Sequence, residues 1–326
     1  MGLPLRLLAV SIALVVTQVA PASSAETIRL AVQKTGTFSW ELAAIRANGL
    51  DKDADLALEV TELASTEAGK IAMRAGSADI MLSDWLWVSR ERALGAKLTF
   101  YPYSSALGAV MVPASSPIRT LADLKGRKLA VAGGPIDKSW LLLQARLKQD
   151  GIDLKSEASI VYGAPPLLAA KALDGEMDAS LNFWNFCAQL EAKGFRRLAG
   201  IEDILPRLGA KGPVAVVGYV FDESWAASHR DVIARFIAMT RKAKELLVTS
   251  DAAWEKIAPL TGTTDPAVLQ TYRTRYRDGI PRRSIDDEEA DARVLYRVLA
   301  EIGGRDLVGP APELDPGTFY HAGPGD

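Results

Sequence analysis

One cysteine, two histidines and an aromatic share of 7% leave this 326-residue chain short of several kinds of chemistry. The single thiol, Cys187, forms no internal disulfide, and a chain of this length builds its core without such a staple. His229 and His321 are too few and too far apart for a zinc site, so neither a metal nor another cofactor is expected. There is no Gly-x-Ser-x-Gly elbow and no lysine-containing phosphate loop, and Gly133-Gly134-Pro135 lacks the third glycine of a dinucleotide fingerprint. Charge of one sign is also missing: 38 Lys and Arg stand against 40 Asp and Glu. The basic residues are scattered among acidic ones, which excludes the stripe that a nucleic-acid partner requires.

What is present begins with a leader. Arg6 precedes the apolar run 7–16, and Ser23 and Ala25 supply small residues at positions −3 and −1 of a cleavage site. This is the layout of a secretory signal peptide spanning 1–25, cut after Ala25. The run is short for a membrane span, which takes about 20 apolar residues. The sole cysteine lies far from the leader, which argues against a lipoprotein. The remaining 301 residues carry a net charge of −3 and suffice for two compact domains.

Short apolar strands alternate with helix patterns of about ten residues, the mark of β-α units around largely parallel sheets. Strands are expected at 28–32, 56–63, 78–82 and 97–103, with helices at 40–48 and 67–75 and from Trp85. A second block repeats this order without visible sequence repetition: strands at 128–132, 159–162 and 178–181, helices at 139–149 and 166–173. Extended stretches near 109–113 and 211–217 read as two crossings between lobes, making the second lobe an insertion into the first. The expected division is 26–110 with 213–305 as one lobe, 111–212 as the other, and 306–326 as an irregular tail. Helical sequence after the second crossing, at 231–247, 251–259, 266–277 and 285–302, should pack on the first lobe.

Four aromatic-polar stretches, 37–40, 83–87, 137–140 and 182–186, each follow a strand and open a helix. In an α/β sheet such loops emerge at one edge, where ligands bind. Their residues are the candidate site: Thr37, Trp40, Asp84, Trp85, Trp87, Asp137, Trp140, Asn182 and Trp184, with Tyr162 as a further wall. Each has a plain structural alternative. Asp84 and Asp137 suit helix N-caps. Trp85 and Trp87, two apart, cannot share one helix face, so one of them packs inward.

Several longer segments carry a family resemblance. They are the opening strand 28–36, Ala-Gly-Lys-Ile-Ala-Met-Arg-Ala-Gly-Ser-Ala-Asp at 68–79, and Ile-Arg-Thr-Leu-Ala-Asp-Leu-Lys-Gly-Arg-Lys-Leu-Ala-Val-Ala at 118–132. Leu-Asp-Gly-Glu-Met-Asp-Ala at 173–179 completes the set. The chain resembles the periplasmic substrate-binding components of ABC importers of the nitrate/sulfonate/taurine type, a group that includes binders of thiamine-precursor pyrimidines. That resemblance implies a type II periplasmic binding protein fold: two α/β lobes, a two-strand hinge and a ligand cleft between them. It also implies a monomer that gives a small-molecule solute to a permease and, through it, to ATPase subunits.

Sulfonate or nitrate binders would be expected to line the loops with hydroxyl, amide and basic donors, and Thr35, Thr37, Ser39 and Ser139 fit. Asp84 and Asp137 do not, and with the aromatic rings they favour a neutral or cationic aromatic or methylated amine. Lys34 or Lys138 could neutralise them, which keeps the anionic alternative open. A third reading is an accessory protein that keeps the scaffold and docks to another protein. Enzyme chemistry is not expected: two carboxylates on swinging lobes lack the fixed separation that acid-base work needs.

Overall fold

In the computed structural model, which describes residues 25–34 and 36–323, the strands form two five-stranded sheets of matching order. The leader ahead of Ala25, and Thr35, lie outside the described residues. The first sheet contains β1 (Glu26–Gln33), β2 (Leu56–Leu63), β3 (Ile80–Asp84), β4 (Leu98–Ser104) and β10 (Val217–Asp222). The second contains β5 (Gly108–Pro113), β6 (Lys128–Ala132), β7 (Ser159–Gly163), β8 (Ala179–Phe183) and β9 (Phe195–Gly200). The orders are β2-β1-β3-β10-β4 and β7-β6-β8-β5-β9.

In each sheet the first three strands run parallel, and the fourth pairs antiparallel with both of its neighbours. Parallel pairs need helical crossovers, which cover both faces and make the inner strands apolar throughout. Residues 129–132 of the inner strand β6 are accordingly all buried, and 98–103 of the edge strand β4 are buried as well. These continuous apolar runs are why the strand pattern is readable in the sequence.

The lobes do share a sequence register, contrary to the expectation of none. Gly76, Asp79, Leu82 and Trp85 recur as Gly175, Asp178, Leu181 and Trp184. Each glycine ends a helix at positive φ, 66° and 75°, where a side chain would be strained. Each aspartate accepts a backbone N–H from the parallel strand beside it, Arg29 N of β1 and Lys128 N of β6, both at 2.8 Å. The carboxylates thus extend the β1–β3 and β6–β8 ladders by one bond.

The chain passes between sheets at 105–107, the link between β4 and β5, and returns through 209–216 to β10. The helices after the return reach further than expected. Pro266–Asp278 packs on the second-lobe helix Trp184–Ala192, and Ile285–Val308 packs on the second-lobe helix Lys138–Gln149 as well as on Trp85–Ala93. Trp184 sits among Trp40, Tyr272 and Tyr276 with ring centroids 5.8, 6.4 and 6.3 Å away. Arg275 grips Glu191 with two bonds, at 3.0 and 2.6 Å. Two helices therefore bridge the lobes in addition to the two crossings.

The tail also departs from expectation. The last helix runs to Val308, interrupted at Gly304, and the following chain is docked. Phe100 N donates to Thr318 O, and Tyr320 N donates to Phe100 O, both at 2.8 Å. Phe319 is buried against Phe100, edge to face at 5.1 Å. The tail thus covers the outer edge of β4, an edge that would otherwise offer unpaired backbone to another chain. Phe319→Ala should lower stability by about 3 kcal/mol in urea titration and should promote self-association in sedimentation. An unchanged midpoint would mean that the tail is decoration.

Candidate functional site

A cavity of about 380 Å³ lies between the sheets, bordered by both lobes and by both crossings, through Ala106, Leu107, Val216 and Val217. It lies at the carboxyl ends of the parallel strands, so helix N-termini converge on it. From the first lobe come Phe38–Ala47, Thr66–Arg74 and Trp85–Ala93; from the second, Lys138–Gln149, Pro165–Leu173 and Trp184–Ala192. Helix N-termini carry partial positive charge and favour acceptor oxygens.

Side chains already cap three of these ends. Ser65 accepts from Ala68 N at 3.3 Å, Asp84 from Trp87 N at 2.9 Å and Asp137 from Trp140 N at 3.2 Å. No side chain caps Trp184–Ala192, where Phe183 stands at the position that Asp84 holds in the first lobe. Phe183, Trp184, Asn185 and Phe186 all border the cavity. Beside them, the Ser83 hydroxyl is buried on the cavity wall without a hydrogen-bond partner among the described residues. An uncapped helix end thus remains open to a bound molecule, and an unspent hydroxyl lies buried in the wall.

Among the described residues that line the cavity, one ion pair joins the two lobes. Lys138 Nζ, from the second lobe, lies 2.8 Å from Asp84 Oδ2 of the first. Burial alone would raise the Asp84 pKa, but the Lys138 charge and hydrogen bond, with Lys70 and the Trp87 N–H, hold it below the usual range. Burial works against the Lys138 ammonium too, and Asp84 outweighs it, leaving that pKa raised. Asp137 has no such ion pair. Burial pushes it up to about 6, against the pull of Lys138 and the N–H groups of Trp140 and Ser139. Gly133, at φ 83°, makes room for this carboxylate: a Cβ there would lie 2.8 Å from Asp137 Oδ2.

The rear wall is Tyr103, whose ring covers Lys244 Nζ at 4.4 Å. That ammonium bonds buried Glu41 at 2.5 Å and the Tyr219 hydroxyl at 2.8 Å. The Tyr219 hydroxyl donates to Glu41 at 2.5 Å, and Tyr276 adds a third donor at 3.1 Å. Satisfied buried networks of this kind hold a wall rigid.

Of the residues expected at the site, Thr37, Asp84, Asp137 and Trp184 border the cavity. The other six lie elsewhere. Trp40 gives its indole N–H to Leu260 O at 3.2 Å and packs in the interlobe cluster. Trp85 and Trp140 are core residues, 0% and 1% exposed, and Trp87 packs inward beneath Lys70. Tyr162 sits at the surface against the edge of Trp140. Asn182 shapes the loop instead, donating to Pro165 O at 3.0 Å and accepting from Phe183 N at 2.8 Å. An indole on the first turn of a helix faces either cavity or core, and the large area it buries favours the core. The expectations passed over Tyr103 and Ser83; both end strands of the first sheet at its carboxyl edge, a position that could have singled them out.

Two mixed sheets of the same order around an interlobe cleft define a class, the two-lobed periplasmic binding fold. Solved structures with this fold include the alkanesulfonate-binding protein SsuA of Xanthomonas axonopodis pv. citri bound to MOPS. It is 21% identical with a TM-score of 0.66, and the match covers 90% of this chain and 97% of that one. The periplasmic aliphatic sulphonate binding protein SsuA of Escherichia coli is also 21% identical, with a TM-score of 0.68 over 88% of this chain and 95% of that one. An aliphatic sulfonates-binding protein of Escherichia coli (strain K12) is 25% identical over 87% of this chain and 85% of its own length. The NMT1/THI5-like family model matches residues 43–251, and the chain belongs to that family.

The Asp137 site has a measurable pH signature. Its pKa rises from 3.8 to about 6 on folding, so the folded state holds the proton more tightly than the unfolded chain. The group therefore favours folding most at low pH, and that contribution is lost as pH climbs from about 4 to about 6. Asp137→Asn keeps a capping side chain and should abolish this loss, on the order of 2 kcal/mol, in urea melts across that range. Parallel profiles for the two proteins would show that Asp137 titrates normally.

Proposed function

We propose that this protein is an extracytoplasmic solute-binding protein that closes two lobes over a small organic molecule and delivers it to an ABC importer. The observation that carries this reading is the cavity itself, walled by both lobes and floored by both crossings. Lobe closure around such a cavity captures a solute and gives the permease a distinct shape to recognise. ATP hydrolysis belongs to the ATPase subunits behind the permease. The leader 1–25, cut after Ala25, sends the chain to the periplasm, where it acts as a monomer. The lobes are read as 26–110 with 213–305, and 111–212, followed by the tail 306–326; the sheets themselves exchange at 105–107.

The solute is read as an organic anion of the sulfonate class. Its acceptor oxygens would meet the uncapped end of Trp184–Ala192 and the Ser83 hydroxyl, while Tyr103, Phe183 and Phe186 take the organic body. The binding named for the Escherichia coli relative supports this class. The charge of Asp84, which suggested an amine, is spent on Lys138. Asp137 supports the second reading, an amine-bearing solute, because its carboxylate has no ion pair of its own in the cleft.

Binding without bond-making fits the reactive groups. The Cys187 thiol is buried, donates to Asn182 O at 3.0 Å, and has its pKa pushed up to about 12. His229 and His321 lie outside the cavity.

Native mass spectrometry of freshly purified protein should show a retained small molecule. In a thermal-shift screen, aliphatic sulfonates at about 100 times their Kd should add roughly 2.7 kcal/mol of stability. Ser83→Ala should weaken that response without lowering the melting temperature of the free protein. Stabilisation by methylated amines alone would overturn the sulfonate reading, and no response to any small solute would favour a docking role.

A further inference from the structure

The two crossings between the lobes are both fastened to one short piece of chain. Ser105, in the first crossing, donates from its backbone N to Gly279 O at 2.8 Å and from its hydroxyl to the same oxygen at 3.2 Å. Four residues on, Arg283 Nη1 donates to Pro213 O at 3.0 Å in the second crossing and to Asp291 Oδ2 at 2.7 Å. Asp291 in turn accepts from Lys211 N at 2.8 Å and Gly212 N at 3.1 Å, and Glu288 accepts from Ala215 N at 2.7 Å. The fit is close at both contacts. A Cβ on Gly279 would stand 2.5 Å from Ala106 Cβ, and one on Gly212 would stand 3.2 Å from the Arg283 guanidinium carbon.

This segment also occupies a particular place in the chain. It starts where the bridging helix Pro266–Asp278 ends and runs into the bridging helix Ile285–Val308. Each of those helices touches the second lobe.

We propose that residues 279–291 form a buckle across the hinge, with Gly279, Arg283 and Asp291 as positioning residues that set the angle between the lobes. The inference rests on the reading that the lobes move about the two crossings to capture a solute. Rotation about one crossing strains the bonds to the other, because both end on the same rigid segment. The buckle makes the two crossings turn as one unit. It thereby sets what fraction of the solute-free protein is competent to bind, a fraction by which apparent affinity scales.

The test needs no solute, so it stands apart from the identity of the ligand. Amide hydrogen exchange and small-angle X-ray scattering are measured on solute-free wild-type protein and on Arg283→Ala, Gly279→Ala and Arg283→Lys. In wild type, the amides of Ser105, Lys211, Gly212 and Ala215 should exchange with one common protection factor. Arg283→Ala and Gly279→Ala should speed all four together, by about tenfold or more, and shift the radius of gyration, with circular dichroism unchanged. Arg283→Lys should restore part of the protection. A folded variant that frees one crossing and leaves the other protected overturns the proposal. Widely different protection of the two crossings in wild type overturns it as well, even if no variant folds. If the buckle behaves as expected but no solute binds, only the transport reading fails.

Discussion

A buried carboxylate and a half-buried ammonium meet across the cleft, and they are the close charge contact between the two walls of the cavity. Asp84 and Lys138 each lose water in the closed arrangement, and each is kept charged by the other. Removing one partner would strand the other, a change that typically costs about 3–5 kcal/mol at buried pairs. Opening the lobes together is far less costly, because both groups regain water. The pair therefore selects for charge balance in the closed cleft more than it drives closure. On the proposed solute-binding reading, a solute whose charge leaves the pair whole, or replaces each half in kind, would be admitted, and one that strands either group would not.

Contact between the lobes draws its favourable energy from apolar packing. On one side of the cleft, Trp40 and Trp184 from opposite lobes pack with Tyr272, Tyr276 and Trp254. On the other, the helix Ile285–Val308 lies over the second-lobe helix Lys138–Gln149 and continues the main core. The tryptophans that look in sequence like ring walls for a ligand serve mainly as interlobe and core packing. The cavity lining falls to other groups: the helix end at Trp184, the rings of Tyr103, Phe183 and Phe186, and Ser83, which are the contacts proposed for the solute.

The strands were legible because those buried on both faces read as apolar runs bounded by turn residues; the first crossing, expected near 109–113, was not, since 108–113 is a strand of the second sheet and the exchange falls at 105–107. Asp79 and Asp178, inside the segments that carry the family resemblance, bind the backbone at the starts of strands. The site was legible only as a set of loops. Within a helix's first turn, sequence spacing does not say whether a side chain faces core or cavity; Trp140 and Trp184 share that position type and differ in outcome. The pairing of Lys138 with Asp84 instead of its neighbour Asp137 depends on how the lobes approach, which local sequence does not encode. The docked tail was hidden for another reason: its Gly- and Pro-rich composition conceals a few anchoring residues, Leu314 and Phe319 among them.

The most direct measurement is a crystal structure of the protein with an aliphatic sulfonate. The account places the anionic oxygens at the uncapped start of the helix Trp184–Ala192, within hydrogen-bond reach of the Ser83 hydroxyl, with the Asp84–Lys138 contact intact beside them. A ligand bound only outside the cleft, or one that reaches Asp84 through an amine after splitting it from Lys138, would contradict it.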